Sequence, residues 1–294
     1  MRKNKIKIVY LYVKLEDGKI MTEKHYTTEI DNYESILKEY RSFIIDRFDK
    51  QDFADYNEIL FSAHSCAIEG NSFSVEDTRS LKEQGLGMIP HGKTLYEAFE
   101  ILDHFNAYNF LLNNLDKPLS EDLLKETHRL LTEHTLPYRV KNAVPGEYTT
   151  TDMAAGDTVF GDHTKLIEQV PLLLAKTQEQ IDLSRLHPLV IAARFHCFFE
   201  YLHPFRDGNG RIGRLFSNFI LLKMNKPLVI ITKEDKEQYI QALKYYKKEG
   251  TDELIISFFF DAATKQMNAE IAEKKSLTKD FSEGMGNGVD NKGE

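Results

Sequence analysis

The sequence has only two cysteines, no excess of positive charge and no apolar run long enough to cross a membrane, and each shortage excludes a class of protein. Cys66 and Cys197 both lie in apolar helical contexts, which favours reduced, buried thiols over a disulfide framework. Cysteines at this spacing also leave too few ligands for a zinc site. The formal net charge of −8 argues against a protein that coats nucleic acid, because binding to phosphate backbones depends on excess lysine and arginine.

The apolar run near the start of the chain is short. It covers residues 8–13, and Lys14, Glu16 and Asp17 end it too early for a signal peptide or a membrane span. We therefore expect a soluble, cytoplasmic protein with neither a membrane nor a nucleic acid as partner.

The pattern of apolar residues predicts a mainly α-helical protein. Residues 1–30 are the exception, because two strand-like segments flank the turn-forming pair Asp17-Gly18 and predict a short N-terminal β-hairpin. Residues 31–94 have helical periodicity and are expected to form an N-terminal helical region. Residues 95–274 are predicted to form the helical core, and residues 275–294, rich in glycine and asparagine, a disordered tail.

Two capping boxes mark helix starts in the N-terminal region and at its boundary with the core. Ser74 and Asp77 stand three residues apart, as do Thr94 and Glu97, in the order that such boxes need. The sequence therefore predicts helices that begin near residues 75 and 95.

The most informative stretch runs from His203 to Arg214. Gly208 and Gly210 can take backbone angles that point successive N–H groups into one concavity, which accepts an anion. A helix predicted from about Arg211 would add its positive N-terminal end. Arg211 and Arg214, three apart, can bind phosphate oxygens with paired hydrogen bonds. These features indicate a site for the phosphates of a nucleotide.

Two further residues of the stretch bring chemistry to the phosphates. Asp207 offers a hard carboxylate that can hold magnesium beside phosphate oxygens. His203 has an ordinary pKa of roughly 6.5 and can take a proton from a hydroxyl near neutral pH. Phe205 is predicted to anchor the loop in the core.

This stretch resembles the signature of Fic domains, His-x-Phe-x-(Asp/Glu)-Gly-Asn-Gly-Arg-x-x-Arg, and matches it at every fixed position from His203 to Arg214. The resemblance extends over about residues 60–265. It implies a Fic-type helical bundle and a protein adenylyltransferase (AMPylator) that transfers AMP from ATP to a serine, threonine or tyrosine hydroxyl of a target protein or of the chain itself. It also implies a base, a carboxylate for Mg²⁺ or Mn²⁺ and a set of nucleotide-binding residues. These are, in that order, His203; Asp207; and Gly208, Asn209, Gly210, Arg211, Arg214 and Tyr239.

A second resemblance concerns Ser65–Gly70, which is similar to the inhibitory motif (Ser/Thr)-x-x-x-Glu-(Gly/Asn) of one Fic subgroup. It implies that Glu69 pairs with Arg214 and occupies the guanidinium that should hold the γ-phosphate of ATP, with Ser65 as a second regulatory residue. The alternative is that Glu69 simply precedes Gly70 as a helix-ending glycine.

The segment from Thr135 to His163 is interrupted by prolines and glycines, and Tyr148–Thr151 is predicted to pair with Thr158–Phe160 as a short hairpin. The resemblance implies that this hairpin is a flap on which the backbone of the target protein docks by β-augmentation. The docking residues would be Thr150, Thr151, Val159 and Phe160. Many family members carry arginine where this chain has Thr149, so contacts at the base of the flap are expected to differ, and an ordinary surface hairpin is the alternative.

Other functions fit the same residues. The donor could supply UMP, phosphocholine or a bare phosphate, although phosphorylating relatives replace the second glycine with lysine and this chain keeps Gly210. Glu69 could position water so that the enzyme removes AMP as well as, or instead of, adding it. A third hypothesis is a nucleotide-sensing interaction module that Glu69 keeps permanently closed, against which the intact His203 and Asp207 count. The expected partners are ATP, an unidentified target protein and, for self-modification or a homodimer, a second copy of the chain.

Overall fold

A computed structural model of the chain describes residues 26–155 and 158–286, and most of these residues lie in α-helices. The helices in chain order are α1 (Thr27–Tyr40), α2 (Lys50–Ile68), α3 (Val75–Gln84), α4 (Leu95–Leu112), α5 (Glu121–Thr132), α6 (Leu136–Arg139), α7 (Leu166–Leu183), α8 (Pro188–Leu202), α9 (Asn209–Lys223), α10 (Lys236–Glu249) and α11 (Glu253–Gly286). Arg41–Ile45 extends α1 as a π-helical turn, and Gly85–Met88 and His163–Lys165 are 3₁₀ turns. The predicted mainly α-helical fold class is confirmed. Across the described ranges, no helix has the length and apolarity needed to cross a membrane.

Both predicted capping boxes are confirmed. The Ser74 hydroxyl accepts a hydrogen bond from the Asp77 N–H at 3.0 Å, and Asp77 accepts one from the Ser74 N–H in return. Thr94 and Glu97 exchange the same pair of bonds at the start of α4. Such a cap satisfies N–H groups that would otherwise lack partners, and each contributes roughly 0.5–2 kcal/mol to helix stability. These local signals fix where α3 and α4 begin.

Helix α8 lies at the centre of the main core. Its sequence is mostly apolar, as is typical of a buried helix, and every residue from Leu189 to Phe199 is buried, including the polar Arg194 and His196. It packs against α7, α9, α10 and α11. Pro188 at its first position and the His187 ring, which accepts a hydrogen bond from the Leu189 N–H, define its start. The turn that follows α8 is therefore carried by a deeply buried helix.

A second, smaller apolar cluster joins α2, α3 and α4. It contains Cys66, Phe73, Leu81, Ala98, Ile101 and Phe105. Cys66 and Cys197 are both buried and unbridged, as predicted. Burial raises the pKa of the Cys66 thiol to about 12, so this cysteine is an unreactive packing residue at neutral pH. The cluster fixes the end of α2 against α4.

The ends of the chain depart from the prediction. The N-terminal hairpin falls on residues 1–25, outside the described residues, and α1 already begins at Thr27 rather than near Asp31. The predicted disordered tail begins inside α11, which continues to Gly286. Lys275 pairs with Glu39 of α1 at 2.6 Å, and no proline interrupts the helix after it. Composition alone therefore placed the start of the tail too early, and residues 287–294 lie outside the described residues.

The first strand predicted for the flap was wrong. Strand β1 is Ala154–Ala155, and it pairs antiparallel with β2 (Thr158–Val159) in the register Ala154 with Val159. Tyr148–Thr151 forms no strand. The Thr149 N–H donates to the Pro204 carbonyl at 2.8 Å, and the Thr149 hydroxyl donates to the Thr151 carbonyl at 2.8 Å. Threonine side chains can bond to nearby backbone in this way and compete with strand pairing.

Candidate active site

The stretch from His203 to Arg214 forms the turn between α8 and the start of α9. Two residues in the left-handed backbone region shape it, His203 with φ 49° and Gly208 with φ 78°. Gly208 is the residue before the first turn of α9, and a Cβ built there would lie 3.1 Å from Thr132 Cγ2. A side chain at this position would therefore be strained and crowded, so the turn requires glycine.

The side chain of Asn209 holds the turn closed. Its Oδ1 accepts a hydrogen bond from the Phe205 N–H at 2.9 Å, and its Nδ2 donates to the Phe205 carbonyl at 2.7 Å. Phe205 is fully buried, as predicted, and its ring stacks on His128 with centroids 3.7 Å apart. The polar atoms of the Asn209 side chain are thus used within the loop.

His128 supports the turn from α5, and sequence reasoning missed it. Its Nδ1 accepts a hydrogen bond from the Gly146 N–H at 2.8 Å, so Nε2 carries the proton and donates to the Asp207 carbonyl at 3.0 Å. Burial lowers the pKa of His128 to about 3, which keeps the ring neutral. The ring is a fixed support beneath the loop.

Arg214 is only 2% exposed; the end of α2 binds it with three hydrogen bonds, and Tyr239 of α10 is a further partner. Its Nη2 donates to Glu69 Oε1 at 2.8 Å and to the Ser65 carbonyl at 2.8 Å, and its Nε donates to the Ser65 hydroxyl at 3.1 Å. Burial alone would raise the pKa of Glu69, yet Arg214 and Arg211 hold it below its usual range. Glu69 is therefore ionised and paired with Arg214 at neutral pH.

The Glu69 carboxylate also lies against the first turn of α9. A Cβ built at Gly210 would be 2.5 Å from Glu69 Oε1 and 3.0 Å from Arg214 Nη1. An anion is favoured at this end of a helix, where backbone N–H groups lack partners within the helix. In this structure the anion is the side chain of the protein itself.

Arg211 and Asp207 form a second charged group beside the first. Arg211 is 1% exposed, and its Nη2 lies 3.7 Å from Asp207 Oδ2. Arg139 of α6 approaches the same oxygen at 3.4 Å. Asp207 Oδ2 is nevertheless buried without a hydrogen-bond partner among the described residues. An unpartnered carboxylate oxygen fits a hard divalent cation, for which phosphate oxygens and water would have to supply the other ligands.

His203 is largely buried beside the same helix end. Its ring stacks on Phe160, with centroids 3.7 Å apart and planes at 14°. Burial lowers the pKa of His203 to about 4, so the imidazole is neutral near pH 7 and can accept a proton. Its Nδ1 has no hydrogen-bond partner in the described chain and lies 3.8 Å from Glu200 Oε2.

A cavity of about 410 Å³ joins Glu69, His203 and Arg214, whereas Asp207 and Arg211 are not among the residues that line it. Glu69, His203, Gly210 and Arg214 line one side, and Tyr239, Ile240 and Leu243 of α10 line the other. The Tyr239 hydroxyl is hydrogen-bonded to His196 Nε2 at 2.6 Å, so this side chain is fixed in the wall. The cavity is large enough for part of a nucleotide.

Of the four predicted docking residues of the flap, Phe160 is among the residues that line this cavity, and Thr150, Thr151 and Val159 are not. Phe160 lines it and covers His203. Thr151 accepts a hydrogen bond from Arg206 Nη1 at 2.6 Å, and both Thr150 and Thr151 are exposed. Val159 lies in β2, where it pairs with Ala154. The flap is thus joined to the signature stretch through Arg206 and Phe160.

Glu100, Arg139 and Glu200 also belong to the site, and sequence reasoning missed them. Glu100 stands on the buried face of α4 and accepts a hydrogen bond from Arg211. Burial raises the pKa of Glu200 to about 8. A carboxylate on the apolar, core-facing side of a helix is the signal that could have found both glutamates, since such groups are rarely buried without a partner. Nothing in the sequence marks Arg139.

The chain is similar in sequence to known proteins of one family. Residues 118–221 match the model of the Fic/DOC family. The chain is 32% identical over 211 residues to a protein of Drosophila grimshawi named protein adenylyltransferase Fic, a match that covers 70% of this chain and 41% of that protein. A protein of the same name from Nematostella vectensis is 33% identical over 187 residues, 61% of this chain and 41% of its own length. The chain therefore spans about two fifths of the length of these curated relatives.

Solved structures agree on the fold. A Fic domain containing signaling protein from Bacteroides thetaiotaomicron superposes with a TM-score of 0.72 at 20% identity, over 89% of this chain and 100% of that one. Fic-1 from C. elegans superposes with a TM-score of 0.70 at 24% identity, over 85% of this chain and 74% of that one. At these identities the likeness shows a shared fold.

Proposed function

Because the chain contains a domain of the Fic/DOC family, we propose that it is a protein adenylyltransferase and that Glu69 inhibits it. The observation that carries the proposal is the 2.8 Å contact between Glu69 and Arg214 in the cavity that His203 also lines. The Glu69 carboxylate lies at the start of α9 and pairs with the Arg214 guanidinium, and both a helix N-terminus and a guanidinium are groups that bind phosphate. The relatives named protein adenylyltransferase support AMP as the transferred group.

In the proposed reaction, the phosphates of ATP lie against the first turn of α9, over Gly208 and Gly210. Arg214 holds the γ-phosphate once Glu69 has left. Asp207 would hold Mg²⁺ or Mn²⁺, which would neutralise charge on the phosphates. Arg211 adds positive charge from the protein side and orders the loop, and Tyr239 completes the wall of the nucleotide pocket. Binding and charge stabilisation account for most of the catalysis in such a site.

His203 acts as the base. Its Nδ1 faces Glu200, which leaves Nε2 for the hydroxyl of the target. Nε2 takes the hydroxyl proton as the oxygen attacks the α-phosphorus in line. The new oxygen to phosphorus bond forms, the bond between the α-phosphorus and its bridging oxygen breaks, and pyrophosphate leaves. The lowered pKa of His203 ensures that the imidazole is neutral at the start of this step.

Glu69 opposes this reaction in two ways. Its carboxylate repels the incoming phosphates, and it occupies the guanidinium that would bind the outermost one. Arg214 is 2% exposed whereas Glu69 is 36% exposed. A buried guanidinium is costly without a partner, so ATP must supply the replacing charge as Glu69 leaves. Ser65 adds two hydrogen bonds that hold Arg214 in the inhibited position.

The target protein is proposed to dock on the flap. The flap joins the site through Phe160, which covers His203, and through Thr151, which binds Arg206. An extended segment of the target, or of a second copy of this chain, would pair with the backbone of the flap beside Thr150, Thr151, Val159 and Phe160. This mode of docking presents a hydroxyl to His203 with little demand on the sequence of the target.

Labelling with [α-³²P]ATP tests the proposal. Glu69→Gly frees Arg214, so we expect it to label itself or a protein in a lysate far more strongly than the unchanged chain does, and Glu69→Gly with His203→Ala to label nothing. Glu249→Gly, the same change at the end of α10, is the matched control and should not raise labelling. A Glu69→Gly variant that binds ATP yet labels nothing would refute the transferase. Equally strong labelling by [α-³²P]UTP would contradict ATP as the specific donor.

Removal of AMP is a second candidate, and the ionised state of Glu69 favours it. A carboxylate in the same cavity as His203 could orient water toward an AMP group on a modified target. Release of AMP from a target labelled by Glu69→Gly, upon addition of the unchanged chain but not of Glu69→Gln, would establish this activity.

A further inference from the structure

Glu100 is a buried carboxylate that divides its two oxygens between two parts of the site. Its side chain is 6% exposed. Oε1 accepts a hydrogen bond from Arg211 Nη1 at 3.3 Å, and Oε2 accepts one from Asn71 Nδ2 at 3.0 Å. A buried charge is costly unless such partners satisfy it. The burial of Glu100 in helix α4 is therefore explained by these two contacts.

On one side, Glu100 fixes Arg211. The Arg211 guanidinium has Glu100 at one edge and Asp207 at another, 3.7 Å away. Arg139 lies 3.8 Å from Glu100 and 3.4 Å from Asp207, which completes a ring of alternating charges. Arg214 is held by the end of α2 and by Tyr239 of α10, whereas Arg211 is held by Glu100 of helix α4. The side chains of the two signature arginines therefore differ in how readily they can move to bind a phosphate.

On the other side, Glu100 fixes the chain just after Glu69. Asn71 follows Glu69 by two residues, and its Nδ2 donates to the Glu97 carbonyl at 3.0 Å as well as to Glu100. The Cys66 thiol donates to the Glu100 carbonyl at 3.7 Å. Helix α4 thus carries both the support of Arg211 and the anchor of the segment that bears Glu69.

We infer that Glu100 is a positioning residue for the transfer reaction. It holds Arg211 so that Asp207 keeps its carboxylate in place for the divalent cation, and through Asn71 it anchors the segment that carries Glu69. The catalytic part of this inference rests on the proposed function. The contacts themselves predict an effect on cation binding that can be measured without any transfer.

Glu100→Gln in the Glu69→Gly background tests the inference. Glutamine keeps the shape but removes the charge that orients Arg211. Loss of a residue that orients a metal ligand typically lowers affinity or activity about 10- to 100-fold, so we expect kcat and the affinity for Mn²⁺ to fall by about tenfold or more. Mn²⁺ binding is measured by electron paramagnetic resonance in the presence of α,β-methylene-ATP, which the enzyme cannot cleave. The KM for ATP should change much less than kcat, because Arg214 and the α9 terminus are untouched, and Glu100→Asp should restore part of kcat.

Glu58→Gln in the same background is the matched control. Glu58 is a buried glutamate of α2 that does not line the cavity. It pairs with Lys82 and accepts a hydrogen bond from Asn109 at 2.6 Å. It should lower the thermal stability without changing Mn²⁺ affinity or kcat. The inference is overturned if Glu100→Gln retains the Mn²⁺ affinity of its parent, or if both variants lose kcat and Mn²⁺ affinity alike. Absence of transfer by Glu69→Gly itself would refute the proposed function, while the Mn²⁺ titration would still decide the role of Glu100.

Discussion

Phe160 lies flat against the imidazole of His203, with ring centroids 3.7 Å apart. Phe160 directly follows β2, so the flap itself covers the proposed base. Lys247 Nζ lies over the Phe160 ring, 5.0 Å from its centroid. This stack contributes to the burial that lowers the pKa of His203 to about 4. The flap therefore influences the chemistry of the base as well as the docking of a target.

Replacing Phe160 should change the pH dependence of transfer. The base must be neutral, so activity is lost as the pH falls through the pKa of His203, which is about 4. Phe160→Ala exposes the ring to water and moves this pKa toward its ordinary value of about 6.5. In the Glu69→Gly background, we expect kcat/KM at pH 6 to fall relative to pH 8 in Phe160→Ala but not in Phe160→Leu, which keeps the ring covered. Identical pH profiles for the two variants would show that Phe160 does not control the base.

Asn71 should help to keep the enzyme inhibited. Its side chain makes two hydrogen bonds to α4 and accepts a third from the Phe73 N–H at 3.0 Å, which fixes the chain after Glu69. One such bond contributes about 0.5–1.5 kcal/mol, which is roughly a 2- to 13-fold change in an equilibrium. The loss of all three bonds in Asn71→Ala should therefore raise labelling of a chain with intact Glu69 by at least about twofold. It should not raise labelling in Glu69→Gly, where no inhibitor remains to be released.

Asn109→Ala provides the comparison for Asn71→Ala, because Asn109 also donates to a glutamate, Glu58, from helix α4. That bond lies away from Arg214, and its loss should leave labelling unchanged. Equal increases in labelling from both asparagine variants would indicate general loosening of the fold and would contradict a specific role for Asn71.

The parts of the site that could be predicted are those that the chain encodes within a few residues. The turn from His203 to Arg214 depends on two residues with positive φ and on the bonds between Asn209 and Phe205, all inside one stretch. The capping boxes at Ser74 and Thr94 are local in the same sense. Local sequence specifies such features because no distant partner is needed to form them.

The parts that could not be predicted depend on contacts between distant segments. Glu100 and Arg211 are 111 residues apart, and His128 and Asp207 are 79 apart, so only the packing of α4 and α5 beside α9 brings them together. The prediction of the first flap strand was wrong for another reason. The threonines from Thr149 to Thr151 have high strand propensity, but the Thr149 hydroxyl donates a hydrogen bond to the nearby Thr151 carbonyl. The strand is formed by Ala154–Ala155 instead.

Glu200 should make the protein less stable as the pH rises. Burial raises its pKa from 4.5 to about 8; Arg214 opposes this shift, and Glu69 adds to it. His203 lies beside it, and Tyr239 lines the same cavity. Between pH 4.5 and 8 the unfolded chain therefore releases a proton that the folded chain keeps. The free energy of unfolding must fall with pH over this interval, by at most about 1.4 kcal/mol per pH unit.

Glu200→Gln removes this dependence, because glutamine carries no titrating proton. Relative to the unchanged chain, we expect the variant to gain stability by an amount that grows from pH 5 to pH 8 and reaches a few kcal/mol at most. Urea unfolding at several pH values, followed by circular dichroism, measures it. Glu97→Gln should change stability in the opposite direction. Burial alone would raise the pKa of Glu97, but hydrogen bonds from Ser72 and Thr94 outweigh it and lower this pKa to about 2. Loss of the Glu97 carboxylate should therefore destabilise the fold from pH 5 to pH 8. A constant difference between Glu200→Gln and the unchanged chain from pH 5 to pH 8 would mean that Glu200 is already ionised in the folded protein.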